Sequence, residues 1–167
     1  MPSDIYQEIA KAVPVLIGGA LAILGGLVGQ ALTHHLTAKR EKQTHLRSRI
    51  ESLVKSLYAH SQWLDDRFNS MVIRNEDHNE PSPLDEAKML QSLYFPELAP
   101  EIYEVMKAQV PMIQFIWEQR LERMKDQAAW LKSFDREPYN EMYKAHLVAL
   151  NNATKKSRTL LEKHLAS

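Results

Sequence analysis

The chain has 167 residues, no cysteine, and 21 basic residues balanced by 21 acidic ones. The balanced charge gives no general attraction for nucleic acid, and the absence of thiols excludes a disulfide framework and cysteine nucleophiles. A hydrophobic share of 44% with a mean hydropathy of −0.40 is that of an ordinary globular domain, but the average joins two unlike parts.

A short leader, residues 1–11, precedes the apolar part. No residue from Ala12 to Leu32 carries a charge, and as a helix the stretch is about 31 Å long, the thickness of a bilayer core. Asp4 and Glu8 outweigh Lys11 in the leader, unlike the basic start of a cleaved signal peptide. The expectation is a retained transmembrane helix over 12–33. After it come Lys39, Arg40, Lys42, Arg47 and Arg49 against the single acid Glu41, which predicts a single-pass topology. The N-terminus would lie outside and the C-terminal domain in the cytoplasm, and the anchor style suggests a bacterial inner membrane. At 100° per residue these bases surround the helix, as a collar on the headgroups of an anionic leaflet would. All the glycines fall within the span. Gly18, Ala22, Gly25, Gly26 and Gly29 form a small-residue face that another helix could approach closely.

Beyond residue 33 the chain is punctuated by proline, with no Asn-Gly or Asp-Gly hairpin signal, which points to an all-α fold. Ile50, Leu53, Val54, Leu57, Ser61, Leu64, Phe68, Met71 and Val72 recur at threes and fours, predicting a helix over 34–74 continuous with the span. The polar turn Asn75 to Pro83 is followed by a short helix over 84–95 that ends before Pro96. From Glu101, the residues Ile102, Val105, Met106, Val110, Ile113, Trp117, Leu121, Met124, Ala128 and Leu131 read as one apolar face of a helix over 101–135, kinked near Pro111. Tyr143, Leu147, Leu150, Thr154, Leu161 and Leu165 give a last helix over 139–165 an apolar edge.

The lengths predict an antiparallel three-helix, coiled-coil-like bundle over 34–167, with the short helix capping the end far from the membrane. Tyr94, Phe95 and Glu97, in "LYFPELAPEIY", would then stand at that tip as a partner contact.

A search for chemistry finds little. There is no Glu-x-x-His pair for a di-iron bundle, no His-x3-His pair for zinc, no phosphate-binding glycine loop and no nucleophile motif. No catalytic residue, metal or cofactor is expected. The leading expectation is a non-enzymatic, membrane-anchored adaptor or accessory subunit that touches membrane lipid and binds a protein partner or a second copy, but no nucleic acid. Alternatives are a self-assembling membrane scaffold or pore-like effector built on the glycine face, or a periplasmic coiled-coil protein with reversed topology.

Overall fold

A computed structural model describes the backbone over residues 3–166 and the side chains of Gly26, Gln30, Thr33, His34 and residues 36–165. The chain divides into two compact units, Met1–Thr44 and His45–Ser167. Helix α1, Ser3–Phe68, passes through both and ends in a π-helical turn, Asn69–Arg74. Asn75 closes that turn in the left-handed conformation (φ 60°), which asparagine tolerates better than most residues. The loop leads to α2 (Leu84–Tyr94), a 3-10 turn (Pro96–Leu98), α3 (Ala99–Lys125), α4 (Gln127–Ser133) and α5 (Glu137–Ala166). The all-α expectation therefore holds among the described residues.

The transmembrane expectation does not. Among the described residues, no helix is long and apolar enough to cross a membrane. Apart from Gly26 and Gln30, the side chains of residues 12–32 lie outside those described. The single-pass topology, the outside N-terminus and the inner-membrane location are thus left without support.

Within the second unit, the contacts fix the directions of α2, α3 and α5 against α1. His60 of α1 meets Ser82 just before α2, Ser56 meets Glu86, and His45 and Arg49 meet Tyr94 at the other end, so α2 runs back along α1. Arg67 stacks on Trp117, and Arg123 reaches the carbonyls of Val72 and Ile73, so α3 runs in the same direction as α1. Tyr139 bonds to Leu64 O, Tyr143 to Ser61, and His146 packs on His60, so α5 is antiparallel to both. The arrangement is up-down-up-down. It replaces the expected antiparallel three-helix bundle: α2 is a helix of the bundle, because Leu84, Ala87 and Leu90 bury a full face against α1, and it is not a cap.

Two apolar clusters lie along this axis. One gathers Ile50, Leu53 and Leu57 with Leu84, Leu90, Phe95, Ile102, Val105 and Leu150. The other gathers Leu64, Phe68, Met71 and Val72 with Met112, Ile116, Trp130 and Tyr139. Helix α3 continues through Pro111, and its break comes later than the proline, at Asp126. Asp126 takes an extended conformation and its carboxylate accepts from Ala129 N, capping α4.

Leu57, with no exposed surface, should lose about 2–5 kcal/mol of stability as Leu57→Ala. Asp126→Ala, which removes only the cap, should cost about 1 kcal/mol. Urea unfolding followed by circular dichroism checks both, and a milder loss at Leu57 than at Asp126 would contradict this core assignment.

Candidate functional site

Of the expected packing face, Gly18, Ala22, Gly25 and Gly29 lie outside the described side chains, and Gly26 has open space where a Cβ would stand. Among the expected collar residues, Lys39, Arg40, Lys42 and Arg47 are exposed, and Arg47 pairs with Glu51 at 2.9 Å. Arg49 is half-buried: its Nε donates to His45 Nε2 at 3.3 Å and its guanidinium lies 5.3 Å from the centre of the Tyr94 ring. The lipid-headgroup reading of these bases rested on the membrane span and loses its basis with it.

The expected partner contact is also rearranged. Because α2 runs back along α1, Tyr94 sits beside His45 and Arg49, at the opposite end of the unit from the Asn75 turn. Phe95 is buried in the first apolar cluster, and Glu97 is exposed on the 3-10 turn. Only Glu97 of the three has the open side chain that a docking knob needs.

A different face has that property. Tyr103, Val110, Trp117, Leu121 and Met124 of α3 are between 44 and 66% exposed. At 100° per residue they fall within an arc of about 60°, so they form one outward stripe. The rotation of α3 that turns this stripe outward is set by polar contacts on its inner flank. Arg120 Nη2 meets Asp77 Oδ1 at 2.6 Å, and Arg123 Nη1 donates at 2.6 Å to the carbonyls of both Val72 and Ile73, which the end of the π turn leaves open. Arg123 also lies 5.1 Å from the centre of the Trp130 ring, and the Trp130 indole donates to Gln119 Oε1 at 3.0 Å. Trp117 is held from beneath. Arg67 stands 5.0 Å from the Trp63 ring centre and 5.8 Å from that of Trp117, a cation between two indoles. Burial and the nearby Arg120 guanidinium lower the Arg67 pKa, yet an arginine stays charged at any physiological pH.

The periodicity alone merged two stripes of α3 into one. Ile102, Val105, Met112 and Ile116 point inward, while Val110, Trp117, Leu121 and Met124 point out. Both sets recur at threes, fours and sevens. The distinguishing sign in the sequence was an apolar arc too broad for one buried face.

The second feature missed from sequence is a polar seam between the two clusters. His60 and His146 are fully buried, edge to face with ring centres 5.8 Å apart. His60 is stacked on Trp63, and its Nδ1 lies 3.0 Å from Ser82 Oγ, which itself accepts from Leu84 N. The Ser82 hydroxyl has one proton and two lone pairs, so accepting from Leu84 N leaves it able to donate to Nδ1 or to accept from it, according to the His60 tautomer. Gln109 is close to the His60 ring, but His60 Nε2 and both ring nitrogens of His146 lack a hydrogen bond of normal geometry. Burial, and the second imidazole, push the His60 pKa down to about 4, and burial also lowers that of His146.

Elsewhere, a polar cleft of about 310 Å³ opens between Phe115, Glu122, Asp126, Trp130 and Pro138, and an apolar groove of about 360 Å³ between Ile50, Val54 and Leu161. Among the described residues, no three His, Asp or Glu side chains converge as metal ligands. No protein-family model, curated protein or solved structure significantly matches the chain.

The histidine seam fixes the sign of a pH dependence. Above the ordinary histidine pKa of 6.5 neither ring contributes; between 6.5 and about 4 the unfolded chain takes up protons that the folded one excludes, so stability falls as pH falls. At 1.36 kcal/mol per pKa unit, His60 alone accounts for roughly 3 kcal/mol across that window. Unfolding free energies measured at pH 7.5, 5.5 and 4.5 should show this loss in the parent chain and a shallower one in His60→Gln. Equal slopes in the two proteins would contradict the assignment.

Proposed function

We propose that the chain is a non-enzymatic adaptor or accessory subunit that binds a protein partner through the outward face of α3. The observation that carries this reading is the stripe Tyr103, Val110, Trp117, Leu121 and Met124, exposed on a helix whose inner flank is pinned by Arg120 and Arg123. Isolated apolar residues on a surface are ordinary, but a continuous stripe along a helix is the usual mark of an interaction site. Trp117 and Tyr103 are residue types that dominate binding energy, and Trp117 is already ordered by Arg67, so little side-chain freedom is lost on docking. The charged border supports the same reading. Lys107 with Glu104, and Lys125 with Glu122, flank the apolar residues as the rim of an interface does.

A photo-reactive residue at Gln114, on the edge of the stripe, tests the proposal in the host cell, with the same residue at exposed Lys156 of α5 as control. The expected outcome is a discrete cross-linked protein from position 114, absent from position 156 and lost when Trp117→Glu is added. Equal labelling from both positions, or labelling unaffected by Trp117→Glu, would sink the proposal.

A further inference from the structure

The stripe itself narrows the choice of partner. Tyr103, Val110, Trp117 and Met124 are spaced by sevens, the repeat along which one helix packs lengthwise on another, and they cover about 31 Å of α3. The matching occupant is another helix of similar length. The two borders of the stripe differ. On one side, Met106 and Ile113 pack on the chain's own clusters and Arg120 pairs with Asp77, so that side is already used. On the other, Glu104, Lys107, Glu118 and Lys125 are exposed, engaged only in solvent-facing contacts within α3 that contribute little and can exchange partners.

In a parallel pair of identical helices the open border of one would meet the used border of the other, whereas in an antiparallel pair the open borders meet each other. Centring a two-fold axis between Ile113 and Gln114 places Val110 opposite Trp117 and Tyr103 opposite Met124, a smaller side chain or a thioether against each aromatic ring. In the same register Lys107 falls within two residues of Glu118 on the other helix, and Glu104 within two of Lys125. Both pairs are of opposite sign, and symmetry makes each of them twice. Resting on the reading of this face as a protein-binding site, we infer that its partner is a second copy of the chain, with the two α3 helices packed antiparallel across a two-fold axis. The five apolar side chains offer on the order of 500 Å² per copy. With the charged border added, that approaches the roughly 800 Å² per partner of a stable interface.

The chain has no cysteine, so introduced thiols report on the pairing directly. Under mild oxidation of the purified full-length chain, Gln114→Cys, beside the axis, should form a disulfide-linked dimer. Lys125→Cys should not, because its two copies would stand about 35 Å apart along the pair. Mixing Lys107→Cys with Glu118→Cys chains should give the mixed dimer in preference to either homodimer. Val110→Glu, added to Gln114→Cys with helicity checked by circular dichroism, should reduce cross-linking at least tenfold. Charge reversal gives a second readout that does not depend on the apolar contacts: Lys107→Glu should weaken dimerisation in sedimentation equilibrium and Glu118→Lys added to it should restore it. A Gln114→Cys chain that stays monomeric, or Lys125→Cys linking as readily as Gln114→Cys, overturns the inference. If those thiols fail while the Gln114 photo-label captures a different protein in a Trp117-dependent way, the second copy is excluded and the adaptor reading stands; failure of both experiments removes both.

Discussion

Helix α1 has to bury nearly half of its circumference over residues 50–68, and the rest of the second unit follows from that demand. Its buried positions run from Ser56, His60 and Trp63 on one side through Leu53, Leu57 and Leu64 to Ser61 on the other, an arc of about 160° at 100° per residue. A helix on the surface of a bundle needs little more than 100°. Two neighbours would leave one side of α1 open, and α2 closes it by turning back at the Asn75 to Pro83 loop. Trp63 and Arg67 hold that loop in place, donating to the carbonyls of Glu80 at 3.0 Å and of His78 at 3.3 Å.

The same demand explains what could be read from the sequence and what could not. The stripe Ile50, Leu53, Val54, Leu57, Ser61, Leu64, Phe68, Met71 and Val72 is visible as a 3.6-residue period, and all of it is buried except half-buried Val54. Ser56, His60 and Trp63 widen the arc, but a serine and a histidine do not register as apolar, so the need for a fourth helix was hidden in polar residue types. Ser56 bonds to Glu86 at 2.6 Å and His60 Nδ1 to Ser82, contacts across a loop that no local pattern encodes. Helix direction was lost for the same reason: lengths are compatible with several topologies, and only the side-chain pairs decide among them.

On α3 the failure was of a different kind. An inward stripe centred near Met112 and Ile116 and an outward one centred near Val110 and Trp117 lie about 120° apart, and residues from both satisfy the same three-and-four spacing. Pattern counting joined them and placed Trp117 in the core. The identity of the inward set is settled by what faces it, Leu64 and Phe68 of α1, Met71 and Val72 of the π turn, and Tyr139 of α5. The outward set faces nothing within the second unit, and that lack of a partner is itself the functional signal.

The two features of this unit without a purely structural reason are in contact. His60 stacks on Trp63 with ring centres 5.5 Å apart, Arg67 lies over Trp63 at 5.0 Å, and Arg67 in turn lies under Trp117 at 5.8 Å. A run of rings and one cation therefore extends from the buried seam to the middle of the exposed face. Planar groups stacked in this way have few rotamers open to them, so the aromatic anchor of the face is oriented before any partner arrives. The stack also accounts for a half-buried arginine whose Nε has no hydrogen bond: its role is to separate two indoles, and a lysine, with no flat surface to offer either ring, would not serve there.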